Sequence, residues 1–212
     1  MICVSICEKD IDKCLAIIEK AEISEIRLDM TDFGDHEIEQ VFSCRKRLIA
    51  TCRPIKHSMD KQMELLKKAI KCGATYVDIE YEAPDEYKQE LIDFAHHHEC
   101  YVIISYHNFE MTPEVEELEQ IMKGCFAQGS DIAKIVTLVR VNRDNSKILS
   151  LYKSPGRLIA FGMGDLGKIT RIVAPFLGAE FTYAAMDEGD PTAPGQIRYT
   201  RLKEFIASIQ QI

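Results

Sequence analysis

Short apolar runs alternate with longer amphipathic segments along the whole chain. The runs are rich in Ile, Val and aromatic residues, a composition that favours β-strands. The segments between them repeat apolar residues three and four positions apart, which is the spacing of a helix with one buried face. This pattern predicts strands over residues 2–6, 25–28, 47–51, 76–79, 101–105, 133–139, 157–161 and 181–185.

The helical segments carry characteristic faces and ends. In the segment after residues 101–105, Thr112 is predicted to be the N-cap, with Pro113 in the first turn and Gly129 as the stop signal. The last helix is predicted to present apolar side chains between residues 202 and 209 on one face. The first shows the same periodicity in Ile11, Cys14, Leu15, Ile18 and Ala21.

Eight predicted strands, each followed by a helical segment, give the element count of a (β/α)8 barrel, the TIM-barrel fold of the α/β class. With 212 residues the chain is short for a fold that typically takes about 250. It contains no sequence repeat, low-complexity tract or linker. We therefore expect a single barrel domain over residues 1–212.

Charge and composition narrow the functional classes. The net charge is −8, and no long basic run suggests nucleic-acid binding. No apolar stretch reaches the roughly 18 uncharged residues of a membrane helix. Met1 leads directly into a strand-like segment, so we expect no secretory signal. The eight cysteines form no Cys-x-x-Cys pair, which is typical of reduced thiols in a cytoplasmic protein.

Lys134 is the most informative residue, because it interrupts an otherwise apolar, β-branched strand. A buried ammonium is costly, so this lysine must be paired, neutral or both. His107 ends the preceding predicted strand. A neutral amine is a nucleophile, and a nearby imidazole can carry protons for it. The two residues together indicate Schiff-base chemistry on a carbonyl substrate, with apolar walls and nearby arginines favouring the neutral amine.

Other charged residues also fall at strand ends. In a (β/α)8 barrel the C-terminal ends of the strands meet on one face, where active sites lie. We therefore expect a polar pocket over an apolar barrel, although structural ion pairs in the barrel wall are the alternative. The pocket is predicted to gather Glu25, Arg27, Asp29, Arg53, Asp78, Glu80, His107, Lys134 and Arg171.

Seven short motifs occur in order between residues 25 and 196. They are Glu25-Ile-Arg27-Leu-Asp29, Thr51-Cys-Arg53-Pro, Val77-Asp-Ile-Glu80, Ser105-Tyr-His107-Asn-Phe, Ala133-Lys134-Ile, Gly162-Met-Gly164 running on to Arg171, and Ala193-Pro-Gly-Gln196. As a set they resemble type I 3-dehydroquinate dehydratase. The resemblance implies dehydration of 3-dehydroquinate to 3-dehydroshikimate in the shikimate pathway of aromatic amino-acid biosynthesis. It also implies a TIM-barrel homodimer that uses no metal or organic cofactor.

The resemblance assigns roles residue by residue. Lys134 would form the imine with the substrate ketone, His107 would be the general acid–base, and Glu80 would orient and charge that histidine. Arg171 would bind the substrate carboxylate. The loop over residues 186–196 would close over the substrate, and Thr192 stands where the family often has Ser. The remaining substrate contacts would come from Glu25, Arg27, Arg53, Thr192 and Gln196.

Four other interpretations stay open at this point. A class I aldolase-like barrel would share Lys134 and the fold, and a non-catalytic barrel could serve as a binding module. Residues 162–167 match G-x-G-x-x-G, which can bind a dinucleotide but can also form a tight turn. Residues 96–98 are three histidines that could bind a metal or simply end a polar helix.

Overall fold

The computed structural model describes residues 1–188, 191–193 and 195–211. Strands and helices alternate through these residues as the sequence predicts. The strands are β1 Ile2–Ile6, β2 Ile23–Arg27, β3 Leu48–Thr51, β4 Tyr76–Glu80, β5 Tyr101–Asn108, β6 Ile132–Leu138, β7 Leu158–Met163 and β8 Thr182–Ala185. The helices are α1 Ile11–Lys20, α2 Asp35–Phe42, α3 Met59–Lys71, α4 Asp85–His97, α5 Val115–Ala127, α6 Asn142–Ser150, α7 Lys168–Val173 and α8 Tyr199–Gln210.

The eight strands form one parallel sheet in the order β7-β6-β5-β4-β3-β2-β1-β8. Because β1 pairs with both β2 and β8, the sheet curls into a nearly closed barrel. Where β7 and β8 approach, the amide of Glu180 donates to the carbonyl of Leu158 at 2.9 Å. The predicted (β/α)8 barrel is therefore confirmed. None of the helices in the described ranges is both long and apolar enough to cross a membrane.

Side chains of each strand alternate between the barrel interior and the surrounding helices. In β6, Ala133 and Ile135 pack outward against the helices, whereas Ile132 and Val136 point into the barrel. The interior is filled by one apolar cluster, made of Cys3, Ile23, Ile49, Tyr76, Ile103, Ile132, Val136, Ile159, Phe161, Met163, Phe181 and Tyr183.

A polar layer lies inside the barrel nearer the C-terminal ends of the strands. Its members occupy inward positions of adjacent strands, so the strand register brings them together. Ser5 pairs with Glu25, Thr51 with Asp78, and Ser105 with Lys134. All six are buried. The apolar residues below them form a floor of low polarity, which strengthens the electrostatic interactions above it.

The expected N-cap of α5 is wrong. The helix begins at Val115, with Glu114 at the N-cap position. The hydroxyl of Thr112 instead donates to the carbonyl of Leu138 and lies 2.9 Å from the hydroxyl of Thr137. Thr112 therefore ties the loop before α5 to strand β6. A local sequence signal could not reveal this, because both partners lie far away in the chain.

The predicted stop at Gly129 is confirmed. The helix reaches Ala127, and Gly129 follows with a φ of 97°, a left-handed conformation that glycine adopts without strain. Its amide donates to the carbonyl of Phe126. The glycine thus provides a hydrogen-bond donor for a backbone carbonyl at the end of α5, and it directs the chain toward β6.

The G-x-G-x-x-G segment is a close-packed turn after β7. A Cβ added at Gly167 would lie 2.6 Å from the carbonyl carbon of Gly162, so the two backbones touch. The amide of Gly162 donates to the hydroxyl of Thr170 at 2.7 Å. Gly164 has a φ of 77°. These contacts account for all three glycines by backbone packing.

We predict that Gly167→Ala lowers the free energy of unfolding by about 1–3 kcal/mol, because the added methyl group must displace backbone rather than a flexible side chain. Urea denaturation measures the change. Gly34→Ala is the matched control, since a Cβ there meets only the carboxylate of Glu37, at 3.2 Å. Equal stability of the two variants would contradict the close packing.

Candidate active site

A cavity of about 660 Å³ opens at the C-terminal ends of the strands. This is the face where the barrel fold was expected to place a site. The cavity is lined by all nine residues that the sequence predicted for catalysis or substrate binding, namely Glu25, Arg27, Arg53, Glu80, His107, Lys134, Arg171, Thr192 and Gln196. These nine residues therefore lie around one cavity, and their roles stay predictions. Asp29, which was also expected in the pocket, does not line the cavity and is buried in an ion pair with Arg27.

Lys134 projects from β6 into the cavity and is only 4% exposed. Its Nζ donates to Oδ2 of Asp78 at 2.8 Å and to the hydroxyl of Tyr183 at 3.2 Å. Oε1 of Glu25 lies 3.5 Å away. The charged groups that contact this amine are carboxylates. The effect expected of the arginines on its charge state stays a prediction. The amine must be neutral before it can attack a carbonyl.

Asp78 joins two buried cations. One carboxylate oxygen pairs with Lys134, and the other lies 2.9 Å from a guanidinium nitrogen of Arg53 and accepts from the hydroxyl of Ser105 at 2.6 Å. Burial disfavours the charged carboxylate, but Arg53 and Lys134 together outweigh it and hold the pKa of Asp78 below its usual range. Asp78 is therefore ionised and fixed in place.

Glu25 is held by hydroxyl groups of the two neighbouring strands. Ser5 donates to Oε2 at 2.6 Å, and Thr51 donates to Oε1 at 3.0 Å. Burial opposes ionisation, yet the nearby ammonium of Lys134 lowers the pKa of Glu25 below its usual value. Its carboxylate is charged and already engaged on both oxygens by protein hydroxyls.

His107 and Glu80 form a pair at the ends of β5 and β4. Nδ1 of His107 lies 3.2 Å from Oε2 of Glu80, and the other oxygen of Glu80 pairs with Arg53. The ring of Phe109 stacks on the imidazole with a centroid distance of 6.0 Å. The geometry agrees with the predicted role of Glu80 as the carboxylate that orients the histidine.

The charge state of His107 follows from its surroundings. Burial and the positive charge of Arg53 lower the pKa of His107, and the hydrogen bond and charge of Glu80 only partly oppose them. The imidazole is therefore neutral at neutral pH and can accept a proton. This differs from the expectation that Glu80 would keep the histidine charged.

Arg53 and Arg27 already have carboxylate partners. Arg53 contacts Asp78 and Glu80, and donates to Oγ of Ser105 at 3.0 Å. Arg27 makes a bidentate pair with Asp29, with distances of 3.0 and 2.7 Å. Contacts with a ligand would have to add to these pairs.

Arg171 is different, because none of the described carboxylates pairs with it. The side chain is 1% exposed, its Nε has no hydrogen-bond partner among the described residues, and Nη1 donates to the carbonyl of Tyr183 at 3.4 Å. The guanidinium lies over the ring of Phe161, 4.1 Å from its centroid. Burial lowers the pKa of Arg171 to about 9. A buried cation without a counter-ion is a ready receptor for an anion.

Thr192 and Gln196 lie at the cavity edge in the segment after β8. The amide and hydroxyl of Thr192 both donate to Oε1 of Gln196, at 2.9 and 3.1 Å. They therefore form a compact polar pair beside the cavity. Residues 189, 190 and 194 of the predicted loop lie outside the described residues, and closure of the loop stays a prediction.

Two residues at Nζ of Lys134 were not given roles from the sequence. Asp78 was visible only as a charged strand end, although its position two residues before Glu80 places both side chains inside the barrel. Tyr183 sits in an apolar strand and carries no charge, so no local signal distinguished it from a core residue. Only the register of β8 against β1 places its hydroxyl at the amine.

The three histidines at residues 96–98 lie away from the cavity, near the end of α4. Nε2 of His96 lies 3.1 Å from Asp131, and Nδ1 of His98 contacts the carbonyl of Phe94. In the ranges that the structure describes, no group of three or more His, Cys, Asp or Glu residues could hold a metal ion.

Comparisons with known proteins show which family this chain resembles. The family model described as type I 3-dehydroquinase matches residues 2–212. The 3-dehydroquinate dehydratase of Methanococcus vannielii is 37% identical over 224 residues, which cover 99% of this chain and 100% of that protein. The enzyme of the same name from Methanocaldococcus jannaschii is 36% identical over 219 residues, 97% of each chain.

Solved structures give the same fold. The type I 3-dehydroquinate dehydratase of Clostridium difficile, crystallised with covalently modified comenic acid, superposes with a TM-score of 0.87 at 24% identity and covers 99% of this chain and 92% of that one. The 3-dehydroquinate dehydratase of Aquifex aeolicus gives 0.85 at 25% identity over 98% of both chains. The family model matches nearly the whole chain, and the two relatives are more than one-third identical to it over nearly their full length. This chain therefore belongs to the type I 3-dehydroquinase family.

Proposed function

We propose that this chain is a hydro-lyase that dehydrates 3-dehydroquinate to 3-dehydroshikimate through an imine on Lys134. The observation that carries the proposal is that one cavity holds a buried lysine beside a histidine–glutamate pair and a buried arginine that none of the described carboxylates pairs with. The first two supply imine and proton chemistry, and the third supplies affinity for an anion. Family membership supports the same reaction.

In the proposed reaction, neutral Nζ of Lys134 attacks the substrate ketone, and the resulting carbinolamine loses water to give an iminium ion. The iminium withdraws electrons, so His107 can remove a proton from the adjacent carbon and leave an enamine. The enamine then expels hydroxide, which leaves as water with the proton that His107 carries. Water finally hydrolyses the imine, releasing the product and restoring the amine.

The remaining site residues bind the substrate. Arg171 would receive its carboxylate in a bidentate contact, which the planar guanidinium favours. Thr192 and Gln196 would exchange their mutual hydrogen bonds for contacts with the substrate. The ring hydroxyls would be held by Glu25, Arg27 and Arg53, which keep their partners within the protein.

We further propose that the protein acts in the cytoplasm as a homodimer, without nucleic acid, membrane, metal or organic cofactor. The proposed steps need only proton transfers and imine exchange, which the side chains in the cavity supply. A class I aldolase-like reaction would use the same lysine, but the family match favours dehydration. Sedimentation analysis of the purified protein tests the dimer, and a monomer would contradict it.

Lys134→Ala is expected to abolish turnover while leaving substrate or product binding measurable, because the imine is the electron sink and the arginines supply most of the recognition. Mass spectrometry after borohydride reduction with 3-dehydroquinate should place the wild-type adduct on Lys134. Lys88→Ala is the control, because Lys88 is also buried but does not line the cavity. An adduct on another lysine would contradict the assignment.

We expect His107→Ala to lower the rate at saturating substrate by roughly 10²–10⁴, because a positioned general acid–base is lost. The imine should still form and be trapped. His96→Ala is the control, since it removes a similar histidine–carboxylate pair distant from the cavity. An unchanged saturating rate with weaker binding would make His107 a binding residue.

The same pair gives a pH test. The base must be neutral, so activity rises as pH passes the pKa of His107. Glu80 raises that pKa, against burial and Arg53, which lower it. Glu80→Gln should therefore shift the ascending limb of the rate profile to lower pH as well as reduce the rate. A shift to higher pH would contradict this role of Glu80.

Arg171→Ala is expected to weaken product binding by at least roughly 30-fold, because the substrate carboxylate loses its charge-assisted partner in a buried site. Arg171→Lys should recover only part of the affinity, since an ammonium cannot make the bidentate contact. Titration calorimetry with product measures both. Arg157→Ala is the control, because Arg157 pairs with Glu180 outside the cavity. Full recovery with lysine would show that charge alone matters.

A further inference from the structure

We propose that Tyr183 is a positioning residue for the reaction: together with Asp78 it fixes the rotation of the Lys134 amino group, so that the lone pair points into the cavity. The inference rests on the proposed function of Lys134 as the imine-forming nucleophile. It adds a residue on β8 that orients this nucleophile.

The first step of the argument is the geometry at Nζ. This nitrogen donates to Asp78 at 2.8 Å and to the hydroxyl of Tyr183 at 3.2 Å, while Glu25 lies farther away, at 3.5 Å. A neutral amine has two N–H bonds and one lone pair. If Asp78 and Tyr183 each accept one N–H bond, the lone pair takes the remaining tetrahedral direction. With Asp78 as the sole acceptor, the amino group could rotate between two orientations of the lone pair.

The second step is the fixed position of the phenol. Its ring contacts those of Phe161 and Phe181, with centroid distances of 5.6 and 5.7 Å, and lies 4.3 Å from Nζ. The side chain belongs to the apolar interior cluster and is 3% exposed. An acceptor locked in this way can orient a partner, whereas a flexible or hydrated one could not.

The third step is that Tyr183 also contacts the anion receptor. Its backbone carbonyl accepts from Nη1 of Arg171 at 3.4 Å, while its hydroxyl binds Nζ of Lys134. One residue of β8 therefore lies between the amine that would attack the ketone and the guanidinium that would bind the carboxylate. This arrangement fixes the separation of the two groups, as a substrate carrying both functions requires.

The hydroxyl stays neutral while it does this. The groups that face it are Cys3 from β1, Glu25 from β2, Asp78 from β4 and Lys134 from β6, with Arg53 beyond β3 and Arg171 on α7. Burial, followed by the charge of Glu25, raises the pKa of Tyr183 well above its usual value. The phenol therefore does not titrate in the working range, and any change in the pH profile of a variant reports on another group.

The test compares Tyr183→Phe with Tyr76→Phe. The first change removes only the hydroxyl and keeps the aromatic ring. The second is the matched control, because Tyr76 is a fully buried tyrosine of the same barrel interior that does not line the cavity. Rapid-quench borohydride trapping with 3-dehydroquinate measures the rate of adduct formation on Lys134 in both variants and in the wild type.

We expect Tyr183→Phe to slow adduct formation roughly tenfold, the effect of losing one hydrogen bond to the reacting nitrogen, with product affinity nearly unchanged. Tyr76→Phe should leave both the trapping rate and the product affinity as in the wild type.

Three outcomes would overturn the inference. A wild-type trapping rate in Tyr183→Phe would mean that the hydroxyl does not position the amine. A parallel loss of rate, product affinity and resistance to urea would assign Tyr183 to packing alone. Absence of any Lys134 adduct in the wild type would overturn the proposed function together with this inference, and so is distinguishable from the first two.

Discussion

The buried ion pair between Lys134 and Asp78 is the interaction on which the rest of the site depends. Taking two charges out of water costs several kcal/mol for each ion, so such a pair persists only when further hydrogen bonds satisfy it. Asp78 obtains them from Arg53 and Ser105, and Lys134 from Tyr183. Removing Lys134 or Asp78 would leave the other buried charge without its nearest partner. The pair therefore determines which residues can occupy the inward positions of the neighbouring strands.

The same charge balance explains why the cavity can attract an anion although the chain carries a net charge of −8. The cations at its base are neutralised locally, Arg27 by Asp29 and Arg53 by Asp78 and Glu80. Arg171 is not neutralised by any described carboxylate. The local field at that point is consequently positive inside a low-polarity wall, and a local field guides binding more than the total charge does.

The fold and most of the site could be predicted because both follow from simple periodicities. Alternation of inward and outward residues places Glu25 with Arg27, and Asp78 with Glu80, on the interior side of single strands. The common direction of the parallel strands then brings their ends together. The sequence could not reveal which side chains form hydrogen bonds with residues distant in the chain. Thr112 looked like a helix cap, because its true partners on β6 lie far away in the chain.

The charge states were harder still to predict than the positions. From the sequence, Arg27, Arg53 and Arg171 were expected to act on Lys134, but a list of charges does not say which ones touch. In the structure Arg53 lies between Asp78 and Glu80, and burial together with its positive charge lowers the pKa of the His107 imidazole. The sequence did not indicate a role for Tyr183, because a tyrosine with apolar neighbours is usually a core residue.

Asp78 and His107 are two groups of the cavity that could accept protons in the proposed mechanism. Asp78 contacts the ammonium directly, but Arg53 and Lys134 hold the pKa of Asp78 so low that it is a poor base. His107 has the opposite properties: burial and Arg53 keep its imidazole neutral and able to accept a proton. Its strand position is two residues beyond Ser105, the register partner of Lys134, on the same inward side. In the proposed mechanism the carboxylate would hold the amine in place, and the imidazole would move the protons. Arg53 favours both proposed roles, because it weakens Asp78 as a base and, together with burial, keeps His107 uncharged.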